Sequence, residues 1–479
     1  MACHVFERRQ EHETEGHYQV ENEMLTIEEQ IEHFAKLTPD KPAVITSNEN
    51  LSYSSLWKRI RERARQLSEE GLRAGQPYVF LTTGDEHFIV TYLAVHLCGA
   101  IAVPLEASTP QERQQQIREE LKLQDSLTPF NGNEMVNGKW SNGKCSDILY
   151  TTGTTGKAKG VMLSAKAWTA NAENLIDRLG FTPELLFIIC GPMNHLGSLS
   201  KIYPTLMTGA TLYIMESLKD LNAFFSVFEL PFTKFATFLV PSSIRMLLQV
   251  ASKNLADVAS KIDFIETGAA PIAQSDMESL CRILPSSRLF NTYASTETGI
   301  VCSYEYSKYG CEPGLLGKPM KHSSVRIDEG GRVVCSGATI MSGYAGAPEL
   351  TADVLRDGEV FTSDIGTLDA QGMLRLQGRQ DDVINVGGYK VNPAEVEDAV
   401  NGFEPIADCI CIPARHILLG TVPKLLYVPK QGHEVKPKDI ADFLRGHIES
   451  YKIPLLYEAV DAIRHTYNGK LDRKSYQKY

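Results

Sequence analysis

Short apolar runs of strand length alternate with amphipathic helical stretches along much of this chain, and that alternation leaves few folds open. Strands separated by helical patterns pair in parallel, because each helix supplies a crossover and then covers the sheet. The pattern predicts strands at 78–81, 101–103, 186–190, 211–215, 235–240, 264–267 and 288–290. Helices are predicted at 27–37, 55–70, 86–98, 111–123, 242–252 and 274–283, the first opened by Thr26 and Glu29 at capping-box spacing. Gly71 and Gly99 stand where the second and third should stop. The segment 314–364 differs: it is Gly-rich with short β-like runs, which suggests an antiparallel or barrel-like addition. Beyond Gly378, Asn392-Pro393 reads as an N-cap followed by proline at the first helical position. Strands at 406–412 and 421–428 and a helix near 438–449 then make a small α+β unit.

The expected fold is therefore α/β: a large N-terminal domain of helix-covered, mostly parallel sheets with a barrel-like β piece, and a small mobile α+β C-terminal domain. The expected divisions are an extension at 1–23, an N-terminal domain at 24–379 and a C-terminal domain at 380–479. The polar join near 379–382 is short enough to act as a hinge.

Composition narrows the function. With 43% hydrophobic and 22% charged residues the chain is an ordinary globular protein. A net charge of −11 argues against a nucleic-acid binder that relies on bulk positive charge. No apolar run reaches the roughly 18 residues a membrane span needs. Residues 1–23 are rich in Glu, His and Arg and read as neither a secretory nor a transit segment. The ten cysteines hold no C-x-x-C pair; they read as small buried hydrophobes in a reducing compartment, the cytoplasm. Cys409 and Cys411, at strand spacing, should share one face. The histidines form no H-E-x-x-H, so a metal held by side chains alone is not expected.

The stretch 151–161, T-T-G-T-T-G-K-A-K-G-V, has glycines that let the backbone approach a ligand, threonines that donate hydrogen bonds, two lysines and no acid. It follows the strand-like 147–150 and leads toward a helix beginning near Ser164. That suits a polyphosphate, but Lys157 is followed by Ala158, so it is not the G-x-x-x-x-G-K-[ST] loop. Three further stations carry polar groups. N-T-Y-A-S-T-E at 291–297 follows a strand, where open α/β sheets bind ligands. T-S-D-I-G at 362–366 and G-R-Q-D-D at 378–382 offer a carboxylate and an arginine suited to ribose hydroxyls or phosphate. N-G-K-L-D-R at 468–473 places a lysine on a glycine-bearing loop. Taken singly, each reads as well as a polar turn or a solvated tail.

Together and in this order they closely resemble the adenylate-forming superfamily: acyl-CoA synthetases, peptide-synthetase adenylation domains and luciferase. The resemblance runs from about residue 25 to the C-terminus and includes H-L-C-G-A-I-A-V-P-L at 96–105. It implies that Thr151, Thr152, Gly153, Thr154, Thr155, Gly156 and Lys159 hold the outer phosphates of ATP. Gly268, Ala269, Ala270 and Pro271, with Tyr293, would frame adenine. Thr296 would contact the α-phosphate, Glu297 would ligate Mg²⁺, and Asp364 and Arg379 would bind ribose. Asp381 would be the hinge, and Lys470 the catalytic lysine between carboxylate and α-phosphate. Gly387, Gly388 and Lys390 would face the site when the thiol of coenzyme A enters. His195, in G-P-M-N-H-L-G, matches a P-x-x-H motif on the acyl-pocket wall, with Ser198, Lys201, Val240 and Pro241 as further wall residues. Ala294 and Ala158 replace the family's usual Gly and Pro.

The implied activity is ATP-dependent conversion of a small carboxylic acid to an acyl-adenylate with release of pyrophosphate, then thioester formation with coenzyme A. The alternatives are loading of an amino or aryl acid onto a carrier-protein thiol, and nucleotide binding without ligase activity. An F-D-x-S stretch for an α-ammonium is missing near His195, and an o-succinylbenzoate-type CoA ligase fits the short chain.

Overall fold

A computed structural model describes residues 26–122, 145–152, 158–380, 382, 384–386, 389–416, 420–466 and 470–476. The larger sheet runs in parallel through Arg288–Ser295, Ile262–Gly268, Lys234–Leu239, Leu185–Ile189, Thr211–Ile214 and Pro42–Ile45. Its central strand, Leu185–Ile189, is buried at every position. Leu185, Phe187 and Ile189 enter one apolar core and Leu186 and Ile188 another, so both faces are covered and the run needs no polar alternation. A smaller sheet sets Pro77–Leu81, Ile101–Leu105 and Cys145–Thr152 side by side in parallel. The expected antiparallel addition is present, and it continues the edge of the large sheet. Gly299–Glu305 pairs with Leu315–Pro319, which leads to Leu374–Arg379, Glu359–Leu368, Arg332–Gly337 and Ser323–Ile327.

The start signals act as the sequence predicts. Thr26 Oγ1 accepts from Glu29 N at 3.3 Å and Glu29 Oε2 accepts from Thr26 N at 2.9 Å, closing the capping box of Ile27–Leu37. Ser164 Oγ accepts from Ala167 N at 3.1 Å at the head of Ala165–Leu179, and Gly180 ends that helix at φ 72°. Some predicted bounds differ in the structure. The strand expected to stop at 290 continues to Ser295, so Tyr293 lies within a strand. Cys145–Thr152 and Ala158–Ser164 are antiparallel partners, so a strand that the sequence did not suggest precedes the helix expected near Ser164.

A buried polar cluster sits at the base of this strand pair. Asp147 Oδ2 accepts from Trp168 Nε1 and Ser146 Oγ, each at 2.6 Å, and lies 3.3 Å from His96 Nε2. His96 Nδ1 is 3.4 Å from Glu28. Burial disfavours the imidazolium, but Asp147 and then Glu28 outweigh it and lift the His96 pKa to about 10. The cluster ties the first helix to the strand that presents Thr151.

The C-terminal part has its own core. Strands Ile406–His416, Gly420–Pro429 and Leu456–Ala459 form a sheet beside helices Pro393–Asn401 and Pro437–Arg445. Val396, Val400, Ile440 and Leu444 pack there with Cys409 and Cys411, which share one face as expected. The last helix stops at Arg445 rather than at 449. No helix among the described residues is long and apolar enough to cross a membrane.

Candidate active site

The stations gather where the large sheet, its antiparallel edge and the C-terminal part meet. Thr151 pairs across the hairpin with Lys159, whose ammonium lies 5.2 Å from the centroid of the Tyr344 ring. Gly160 is required there, because a Cβ would sit 2.8 Å from Ile148 Cγ2. Gly153, Thr154, Thr155 and Gly156 lie outside the described residues, as does the side chain of Thr152.

At the end of Ile262–Gly268 the chain approaches its neighbour closely: a Cβ on Gly268 would stand 2.7 Å from the Thr292 carbonyl oxygen. Ala269 follows at φ 69°, a left-handed conformation that costs an L-residue about 1–2 kcal/mol. The backbone is thus bent sharply beside Tyr293, as a loop framing a flat base would be.

Tyr293 OH donates to Asp364 Oδ2 at 2.6 Å. Burial and then Asp364 push the phenol well above its ordinary pKa, so it stays a donor. Asp364 and Arg379 are direct cross-strand partners with Nε–Oδ1 3.4 Å, and Arg379 also donates to Ser363 Oγ. Glu297 Oε1 accepts from Tyr344 OH at 3.0 Å, while the Glu297 carbonyl accepts from Met341 N at 2.9 Å. Ser295 and Thr298 exchange backbone-to-hydroxyl hydrogen bonds of 3.1 Å and fix the turn that carries Thr296. Tyr344 was not anticipated. It lies 47 positions from Glu297, and only the pairing of Gly343–Tyr344 with Val161 and Met162 brings it to the hairpin.

Lys470 reaches this group from the C-terminal part. Thr466 N donates to the Lys470 carbonyl at 2.7 Å and Lys470 N donates to Thr466 Oγ1 at 3.1 Å. The Lys470 side chain keeps contact with solvent but stands in the cleft between the two parts. Desolvation and then Arg379 lower its pKa, while Glu297 and Asp364 act in the opposite sense. His195 stands at the N-cap position of Leu196–Met207 without a side-chain capping bond; burial and then Lys470 depress its pKa to about 4, leaving it neutral at pH 7. The structure therefore brings together Lys470, His195, Glu297, Asp364, Arg379 and Tyr293, and through Tyr344 also Lys159.

Ser198 lies on the same helix as His195, and its Oγ is 2.7 Å from where a Cβ on Gly191 would stand. Val240 and Pro241 open the helix Pro241–Val250. Lys201 is not an open wall residue: it is 1% exposed, and its ammonium sits 2.7 Å from Glu266 Oε2 over the Phe238 ring. Lys390 lies on Tyr389–Val391, paired with Ile384–Val386. Asp381, Gly387 and Gly388 lie outside the described residues.

The contact between the two parts centres on Arg245. It donates to Asp276 Oδ2 at 2.9 Å within the N-terminal part and to Asn401 Oδ1 at 3.0 Å across the cleft, with Asp408 3.8 Å away. Gln274 N donates to Asp398 Oδ1 at 3.1 Å beside it.

Comparisons with known proteins agree with this architecture. The chain is 26% identical over 474 residues to a feruloyl-CoA synthase of Amycolatopsis sp, covering 91% of this chain and 95% of that protein. It is 26% identical over 459 residues to a 2-succinylbenzoate–CoA ligase of Bacillus cereus, covering 88% and 92%. Among solved structures, ATP-bound MatB from Rhodopseudomonas palustris superposes with a TM-score of 0.81 at 21% identity, covering 95% of this chain and 99% of that one. The o-succinylbenzoate CoA synthetase of Bacillus subtilis, in complex with its acyl-adenylate intermediate, gives 0.78 at 21%, covering 94% and 97%. The model of the AMP-binding enzyme matches residues 31–137 and 120–345, and that of the AMP-binding enzyme C-terminal domain matches 395–470. The chain belongs to the AMP-binding enzymes, the adenylate-forming family whose motifs it carries in order.

Proposed function

We propose that this protein activates a carboxylic acid with ATP, releasing pyrophosphate, and passes the acyl group from the adenylate to the thiol of coenzyme A. The observation that carries the reading is the convergence of Lys470 with Glu297, Asp364 and Arg379 in one cleft. A carboxylate attacking the α-phosphorus brings two anions together, and a lysine between them offsets the repulsion as the transition state forms. Tyr293, Asp364 and Arg379 then hold the nucleoside, with Asp364 accepting from the ribose hydroxyls. Thr296 contacts the α-phosphate, and the strand pair bearing Thr151 and Lys159 holds the outer phosphates. Thr152 and Gly153 to Gly156 complete that grip.

Glu297 fits a Mg²⁺ ion. Its Oε1 is engaged by Tyr344, so Oε2 would be the oxygen offered to the cation. Bound there, the ion neutralises charge developing on pyrophosphate. His195, neutral at pH 7, borders the carboxylate end of the acid pocket without competing for it as a cation.

The second half-reaction needs a different surface at the same acyl centre. We assign it to Gly387, Gly388 and Lys390, brought in by rotation of the unit 380–479 about Asp381. Coenzyme A rather than a carrier protein is the acceptor because the curated relatives of similar length are CoA ligases. The cytoplasm, where ATP and coenzyme A are held, suits a chain whose nine described cysteines are all free.

ATP–pyrophosphate exchange with a panel of carboxylic acids tests the first step, and free-thiol loss on adding coenzyme A tests the second. Exchange with no acid at all overturns the reading.

A further inference from the structure

Outside the cleft, Cys281 and Cys311 stand with their sulfurs 3.7 Å apart, and both are partly accessible to solvent. Cys281 lies on the helix Gln274–Ile283 and Cys311 in the loop before Leu315–Pro319. Beneath them, Tyr306 is 1% exposed, and its hydroxyl lacks a hydrogen-bond partner among the described residues while lying in electrostatic reach of both sulfurs. A buried, unpartnered phenol is costly, and its donor is free to serve an oxygen placed on either sulfur. Cys98 and Cys190, also partly accessible, face hydroxyls rather than a second thiol.

We propose that Cys281 and Cys311 form a peroxide-reactive dithiol whose oxidation closes a disulfide around the hairpin that carries Tyr293 and Glu297. The order of events follows from the contacts. Burial raises both thiols, Cys311 to about 12; the hydrogen bond between them works against the rise at Cys281 and adds to it at Cys311, while Glu278 raises both and Arg282 lowers both. Cys281, whose ionisation that contact eases, is the attacking sulfur. Its thiolate attacks a hydroperoxide; the O–O bond breaks, an S–O bond forms, and the leaving oxygen departs as the alcohol or water. Tyr306 OH donates to the new sulfenic oxygen. Cys311 then attacks that sulfur, forming S–S and releasing water, so the two thiols lose two electrons and the hydroperoxide gains them. The bond closes the segment from Cys281 to Cys311, which contains Arg288–Ser295 and Gly299–Glu305, and so restricts the unfolded chain around the site.

The full chain is treated with hydrogen peroxide, the remaining thiols are alkylated, and non-reduced peptides are read by mass spectrometry. A cross-linked Cys281–Cys311 peptide forms before Cys98 or Cys190 is modified. The oxidised protein melts at a higher temperature than the reduced one, and Cys281→Ser removes that difference. In Cys311→Ser a dimedone adduct accumulates on Cys281, whereas Cys281→Ser gives none on Cys311. Retention of both thiols in alkylatable form while Cys98 or Cys190 oxidises overturns the proposal, and labelling of Cys311 in Cys281→Ser overturns the order.

Discussion

Lys470 shows what a single side chain contributes here. Among the described residues it is the one group of the site supplied by the C-terminal part, and burial, then Arg379, lowers its pKa. Replacing it with Ala removes charge where charge develops. ATP–pyrophosphate exchange is expected to fall about 10²–10³-fold, while thioester formation from supplied acyl-adenylate persists. Equal loss of both would contradict the role. His195 gives a prediction of a different kind. Its pKa of about 4 lies below the ordinary histidine value near 6.5, so on acidification the unfolded chain takes up a proton that the folded chain refuses. Stability is unaffected above pH 6.5 and is lost as pH falls toward 4. Between pH 7 and 5 the loss is about 2 kcal/mol, so His195→Asn should lose about that much less than wild type over the interval. Urea unfolding at both pH values measures it, and parallel losses would sink the argument. The sequence named both residues through motif order, yet neither pKa was legible there, because burial and distant neighbours set them: Lys470, 275 positions on, acts on His195, and Arg379 acts on Lys470.

Pairing between elements explains both what the sequence disclosed and what it hid. Leu185–Ile189 was legible because a strand covered on both faces is apolar throughout. The hairpin of Cys145–Thr152 and Ala158–Ser164 was not, since its partners end in Thr151, Thr152, Lys159 and Gly160, which mimic a loop. Tyr344 stayed hidden for the same reason: its role exists only once Gly343–Tyr344 adds a short edge to that hairpin. Its hydroxyl orients Glu297, and its ring lies under Lys159. Burial and then Glu297 hold the phenol well above its ordinary pKa, so it donates at any working pH. Tyr344→Phe deletes the donor and keeps the ring. A hydrogen bond to a charged group is worth about 1.5–3 kcal/mol, so the Mg²⁺ concentration for half-maximal exchange should rise about tenfold or more. Direct Mn²⁺ binding in the presence of ATP should weaken in step, with the unfolding midpoint little changed. An unaltered metal requirement would reduce Tyr344 to a packing residue.

For the whole molecule the question is which arrangement of the two parts the contacts favour. Here Lys470 faces the nucleotide residues, and Arg245 bridges from Asp276 to Asn401 while Gln274 N binds Asp398. On the proposed rotation of the C-terminal part, these contacts break as Lys390 replaces Lys470. The fold of each part was readable from local pattern, but this latch was not, because its residues come from segments with no motif. Arg245→Ala removes the contact across the cleft and leaves Lys470 intact. A partly buried hydrogen-bonded charge contributes about 1–2 kcal/mol, which shifts a two-state equilibrium about 5–30-fold. Exchange should therefore slow by up to that factor, while thioester formation from supplied adenylate is unchanged or faster. Asn401→Ala should act in the same direction from the other side, and the double variant should be no worse than Arg245→Ala alone, since the contact that Asn401→Ala removes is already lost there together with the approach to Asp408. Additive losses, or equal slowing of both half-reactions, would mean that Arg245 supports the N-terminal fold through Asp276 rather than the closed arrangement of the two parts.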